Sequence, residues 1–208
     1  MFKLNFFKSV LVLSIFSLFA SCSNDDDTTP TPTTLETKTF SNLYAPQTGG
    51  MGAPIGGAFT KFSFSQNAIV TNDSWDIAFR GTTIVVNGGT GIGIADELTR
   101  TGSGAVSIVS NTLSAVTTIR DASTFKQDAT NTYAIPTGSG NGWYNYNATN
   151  YLITPIAGKV FVVKTHDGKY AKMEIISYYK DAPANPDPTI GSRYFTFKYV
   201  YQPNGTSF

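Results

Sequence analysis

Apolar and polar positions alternate along this chain in short runs broken by Gly, Asn, Asp and Pro. That is the patterning of strands and turns, without the three-to-four spacing of amphipathic helices. The richest stretch is Lys159 to Tyr179, KVFVVKTHDGKYAKMEIISYY. Two runs dense in β-branched and aromatic residues flank Asp167-Gly168, a dipeptide suited to a tight type I′ turn. With a two-residue loop there, His166 faces Lys169, Thr165 faces Tyr170, Val163 faces Lys172, Val162 faces Met173 and Val160 faces Ile175. One face then carries Val160, Val162, Ala171, Met173 and Ile175, and it is expected to be a core face. The other carries Phe161, Val163, Lys172, Glu174 and Tyr178. His166 falls at the solvated turn tip.

Other segments repeat the pattern more weakly. Ala58 to Ser65 alternates, with Phe62 and Phe64 on one side. Ser74 to Arg80 places Trp75, Ile77 and Phe79 on one face, and Thr82 to Asn87 reads as a strand buried on both faces. Gly102 to Ile119 holds two weaker runs, Ala105 to Val109 and Thr112 to Ile119. Asp121 to Asp128 is expected to form one short helix capped by Asp121 or Ser123. Arg193 to Gln202 alternates most cleanly, with Phe195, Phe197, Tyr199 and Tyr201 on one face. The fold class this predicts is all-β: an antiparallel sandwich-like or open, hand-shaped architecture with long Gly-rich loops.

Three loops stand out. In Thr48 to Pro54 a methionine, Met51, sits among glycines with no apolar stripe to join. Gly88 to Ala95 is Gly-rich, but no Lys-Ser/Thr pair follows it, so it reads as a mobile loop and not as a phosphate cradle. Thr137 to Gly142 leads into the aromatic cluster Trp143-Tyr144-Asn145-Tyr146. Those rings either face a flat ligand or fill the core.

The N-terminus changes the setting. Lys3 and Lys8 precede an apolar run from Val10 to Ala20, at about eleven residues too short to span a bilayer. Phe19-Ala20-Ser21-Cys22 then resembles the lipobox of bacterial lipoproteins, which implies cleavage before Cys22 and its acylation. The acidic run Asp25-Asp26-Asp27 resembles the export signal of surface-facing outer-membrane lipoproteins. It reads equally as a solvated spacer. Thr28 to Thr34 is an extended Thr/Pro linker. The expected organisation is a signal peptide over 1–21, a tether over 22–35 and one β domain over 36–208. Removing the signal leaves roughly 170 to 185 residues, enough for a sizeable core.

Composition mainly excludes. Charged residues are 14% of the chain and the net charge is +1, so no basic footprint points to nucleic acid. One cysteine and one histidine leave too few ligands for a zinc site. A Ser-His-Asp triad would have to use His166, and no Gly-x-Ser-x-Gly elbow accompanies it. A carboxylate-based glycan hydrolase would draw on Asp73, Asp76, Asp96 or Glu97, which read better as solvated strand ends. A non-enzymatic binding protein is the expectation.

An ordered series of motifs narrows this further. Trp75-Asp76-Ile77-Ala78-Phe79-Arg80-Gly81-Thr82-Thr83, Asn87-Gly88-Gly89, Gly142-Trp143-Tyr144-Asn145-Tyr146, and Asp167 to Ile175 through Tyr178-Tyr179 together resemble the HmuY family of haem-binding surface lipoproteins. The resemblance covers roughly Thr39 to Tyr201. It implies an all-β hand whose loop projections hold one haem by its two faces. It also implies a role in haem and iron acquisition at the cell surface, with an outer-membrane haem receptor as partner. The chain departs from the family in its ligands: Arg100 to Ser107 and Thr137 to Tyr151, where the family's axial residues are expected, hold no histidine or methionine. The soft ligands left are Met51, Met173 and His166, with phenolates such as Tyr144 and Tyr146. Met173 is assigned to the core. The expected haem-binding set is therefore Met51, Trp143, Tyr144 and Tyr146, with Met51 and His166 as iron ligands and Met51 preferred. The alternative is an interaction or adhesion lipoprotein on the same fold that has lost haem ligation.

Overall fold

The computed structural model describes residues 34–208, which form one compact unit. The expected signal peptide, the Cys22 lipobox and all but the last two residues of the tether lie outside the described residues. In chain order the strands are β1 (Thr37–Tyr44), β2 (Thr48–Gly50), β3 (Ala53–Gly56), β4 (Thr60–Ser63), β5 (Ala68–Val70), β6 (Ile77–Arg80) and β7 (Thr83–Val86). They continue with β8 (Ala105–Ser110), β9 (Tyr144–Asn147), β10 (Leu152–Pro155), β11 (Lys159–Lys164), β12 (Tyr170–Tyr179) and β13 (Ser192–Gln202). A five-stranded sheet runs β1-β13-β12-β11-β8, and a four-stranded sheet runs β5-β4-β6-β7. Two further ribbons, β2-β3 and β9-β10, stand as separate two-stranded sheets. Every strand pairing is antiparallel, so the chain is all-β as its patterning predicts.

The two larger sheets share one core. Phe62, Phe64, Ile77, Phe79 and Ile84 from the smaller sheet join Phe161, Met173, Phe195, Phe197 and Tyr199 from the larger. Edge-to-face ring pairs such as Phe62–Phe197, with centroids 5.1 Å apart, add specific geometry to the buried area. The alternation of β13 survives intact, and β13 lies between β1 and β12. Central placement explains why it is the longest and cleanest pattern in the chain.

The hairpin around His166 differs from its expected register by one residue. Val163 pairs with Ala171, Phe161 with Met173 and Val160 with Glu174. The cause lies in the turn. Type I′ needs positive φ at both central residues, but here Gly168 has φ +84 while Asp167 has none. The Thr165 N–H donates to the Lys169 carbonyl at 2.9 Å, closing a three-residue loop over His166, Asp167 and Gly168. The slip exchanges the faces of β11. Phe161 and Val163 enter the shared core with Met173, while Val160 and Val162 face outward. Both faces are buried, because Leu113 and Val116 fold over the outer one. The apolar run Thr112 to Ile119 is thus a cover for the sheet and not a strand.

Two smaller expectations change for local reasons. Asp121 to Asp128 is not a helix but a single 3-10 turn, Ala122–Thr124, whose cap Asp121 accepts from the Ser123 N–H at 2.8 Å. Trp75 does not share a face with Ile77 and Phe79, because the strand begins only at Ile77. It packs with Ala78 and Val85 on the outer side of the small sheet. Ile92, from the Gly-rich segment Gly88 to Ala95, covers that side. This segment is therefore packed down, with Glu97 accepting from the N–H groups of Ile92 at 2.6 Å and Gly93 at 2.9 Å.

Candidate functional site

Between the two ribbons and the end of β12 lies a cleft of about 510 Å³. Met51 and Ile55 line it from the β2-β3 ribbon, Tyr146, Leu152 and Ile153 from the β9-β10 ribbon, and Tyr151 from the turn joining β9 to β10. Tyr178, Tyr179 and Arg193 complete its base. Its volume lies within the range of small-molecule sites. Seven large hydrophobic side chains are exposed among the described residues, and four of them, Met51, Ile55, Tyr146 and Tyr151, line this one cleft. Apolar surface left open in this concentration marks a binding site better than scattered exposure does.

Backbone strain concentrates in the same place. Outside Gly, Asn and Asp, four of the described residues have positive φ: Met51 (+52), Tyr151 (+58), Ala182 (+46) and Arg193 (+70). Three of the four line the cleft. Side chains larger than Gly lose about 1–2 kcal/mol there, and such residues gather at functional sites. Met51 and Gly52 (φ +96) form the two-residue turn between β2 and β3, a position where Asn-Gly is favoured. Met51 is 110% exposed, so nothing in the fold repays its conformation.

The expected ligand-binding residues divide. Met51 and Tyr146 line the cleft. Trp143 and Tyr144 are buried in the shared core behind it, and Trp143 Nε1 donates to the Thr82 carbonyl at 2.8 Å. Tyr144 and Tyr146 share one face of β9, but only Tyr144, at the start of the strand, is buried, while Tyr146 farther along the ribbon is exposed. Met173 is in the core, as assigned. His166 does not line the cleft.

His166 belongs to a different construction. Its Nδ1 lies 2.7 Å from Oδ1 of Asp76, and its backbone N–H donates to the same oxygen at 3.0 Å. The other Asp76 oxygen accepts from the Phe64 N–H at 2.8 Å. Burial raises the Asp76 pKa, and these donors only partly offset it. Asp76 is therefore a buried strut and not a solvated strand end. Asn87 acts beside it. Its side-chain amide donates to the carbonyls of Asp73 and Trp75, and its oxygen accepts from the N–H groups of Thr101 and Gly102. Asp76, His166 and Asp167 each offer a ligand atom within 4.8 Å of one another. Asp76, however, has both oxygens engaged by N–H donors, which suits a structural link.

Sequence reasoning did not reach Ile55, Tyr151 or Arg193 as cleft residues. The signals in the chain were a tyrosine directly after the Asn-rich turn Asn147 to Asn150 and an arginine set directly after Gly191-Ser192.

Residues 57–199 match the sequence profile of the family described as HmuY protein. No curated protein sequence matches the chain. The chain is also similar, at low identity, to three solved structures. One, from Bacteroides vulgatus ATCC 8482, is named as HmuY-like and heme-binding. It is 16% identical with a TM-score of 0.47, over 82% of this chain and 93% of that one. A Bacteroides fragilis protein named as a lipoprotein is 15% identical with a TM-score of 0.46, over 81% and 91%. The apo HmuY analog of Tannerella forsythia is 13% identical with a TM-score of 0.44, over 82% and 96%. With the profile matched over more than half of its length, this chain belongs to the HmuY family.

Proposed function

We propose that this protein is a non-catalytic haem-binding lipoprotein, anchored through acylated Cys22 to the outer membrane and facing the cell surface. In this reading it takes up haem for iron acquisition and hands it to an outer-membrane receptor. The observation that carries the ligand reading is the gathering of Met51, Ile55, Tyr146 and Tyr151 on one open cleft. A haem fits that donor set. Its flat apolar faces suit exposed tyrosine and isoleucine side chains, and a thioether or a phenolate can ligate its iron. Met51 would supply the sulfur, and Tyr146 and Tyr151 would stack or ligate. The core positions of Trp143 and Tyr144 make them supports of the β9-β10 ribbon. His166, tied to Asp76, takes no part in iron binding in this reading.

Titration of the purified chain with haemin tests the proposal. The expected result is a sharpened Soret band that saturates at one haemin per chain. A spectrum that stays that of free haemin would favour the alternative, an interaction or adhesion lipoprotein on the same fold.

A further inference from the structure

We propose that Arg193 recognises a free carboxylate on the ligand, so that the cleft selects flat apolar molecules carrying an acid group. The proposal rests on the haem reading and deepens it, since the tetrapyrrole of haem bears two propionates.

Arg193 is the one charged residue lining the cleft, and no carboxylate lines it. Among the described residues it forms no ion pair; the pairs that form are Lys61–Asp73, Arg100 with Glu97 and Asp128, and His166–Asp76. One terminal nitrogen of its guanidinium donates to the Gln47 carbonyl at 2.9 Å, which holds the group in place. The guanidinium also donates toward the Tyr178 phenol oxygen, and with five N–H donors in a fixed fork it keeps further donors free. Its backbone sits at φ +70 at the start of β13, where the Arg193 carbonyl accepts from the Ala45 N–H at 2.8 Å. An arginine in that conformation is unfavourable for folding alone. The strain is explained if the side chain has work in the cleft.

The neighbours add donors. The Tyr179 oxygen accepts from the Ile153 N–H at 2.8 Å, which leaves its own proton to give. Burial pushes the Tyr178 phenol well above its usual range, against the opposing pull of Arg193, so it also stays protonated. The base of the cleft thus offers a guanidinium and two phenols, while its rim offers apolar rings and a thioether. A planar molecule with an apolar body and an acidic edge matches both regions. Arginine suits the role better than lysine because its fork matches the two oxygens of a carboxylate.

The test compares ligands before it compares variants. The full chain is titrated with haemin, with protoporphyrin IX and with protoporphyrin IX dimethyl ester, reading tryptophan quenching. The free acid should bind roughly tenfold more tightly than the ester, the scale of one charge-assisted contact. Arg193→Gln should weaken the acid to about the ester's level and leave the ester unchanged, and Arg193→Lys should recover part of the difference. Equal affinity for acid and ester in the unaltered protein would overturn the proposal, with no need for a variant that folds. So would an Arg193→Gln protein that loses acid and ester binding equally. In both cases haemin binding would still stand. If neither haemin nor the free acid binds, the haem reading fails and takes this proposal with it.

Discussion

The imidazole Nδ1 of His166 and the Asp76 carboxylate, 2.7 Å apart, join the β11-β12 turn to the start of β6 across ninety residues of chain. Asp76 accepts from the backbone N–H groups of Phe64 and His166 and pairs with the His166 ring, so deleting it leaves these groups unmatched in a buried or half-buried place. Asp76→Ala should cost roughly 3 kcal/mol or more, and His166→Ala about 1–2 kcal/mol. Urea denaturation measures both. His166→Ala should leave the haemin spectrum unchanged, and a shifted Soret band in that variant would return His166 to the list of iron ligands.

Met51 points the opposite way. Its side chain is fully exposed and its φ is +52, so Met51→Asn should raise stability by about 0.5–1 kcal/mol. The same change should weaken haemin binding. A variant that binds as before would remove Met51 from the site, whatever its melting temperature does.

Asn87 cannot be replaced by an isostere. Asn87→Ala strands two carbonyls and two N–H groups, and should cost roughly 3 kcal/mol or more. Asn87→Asp keeps the acceptor for Thr101 and Gly102 but turns a charged oxygen toward the carbonyls of Asp73 and Trp75. Thermal melts should show it nearly as damaged as the alanine variant. Full stability in Asn87→Asp would refute this role.

Glu97 predicts an acid response. Partial burial raises its pKa, but the N–H groups of Ile92 and Gly93 and the side chain of Arg100 outweigh that and hold it below the usual 4.5. The folded pKa is depressed, so the stability it brings is present above the unfolded value and is lost as pH falls through the folded one. Glu97→Gln should be less stable than the parent near pH 7, and the gap should close at a pH low enough to protonate the folded-state carboxyl. A gap that is the same at both pH values would count against this account.

The sheet core was largely readable in the sequence, because strands buried on one shared face keep their period of two. Phe195, Phe197 and Tyr199 fall where alternation puts them. The β11-β12 register was not readable, because Asp167-Gly168 serves both two-residue and three-residue loops and only the φ of Asp167 separates them. The run Thr112 to Ile119 has the apolar and β-branched composition of a strand, yet it buries Leu113 and Val116, three residues apart, without pairing. The cleft was half readable. Met51 betrayed itself by having no apolar stripe to join. Arg193 was hidden inside a strong strand pattern, and Ile55 and Tyr151 come from separate ribbons that only the fold brings together.

The two ribbons that carry the exposed apolar side chains of the cleft are each only two strands wide and share no ladder with either large sheet. Isolated pairs of strands are marginal on their own, so they open at a lower free energy than the sandwich beneath them. Amides of Thr48–Gly56 and Tyr144–Pro155 should therefore exchange with solvent well before those of β12 and β13. Apart from Tyr144, Leu152 and Ile153, substitutions there fall outside the large aromatic core. Ligand choice can drift through changes in these ribbons while the rest of the chain goes on folding in the same way.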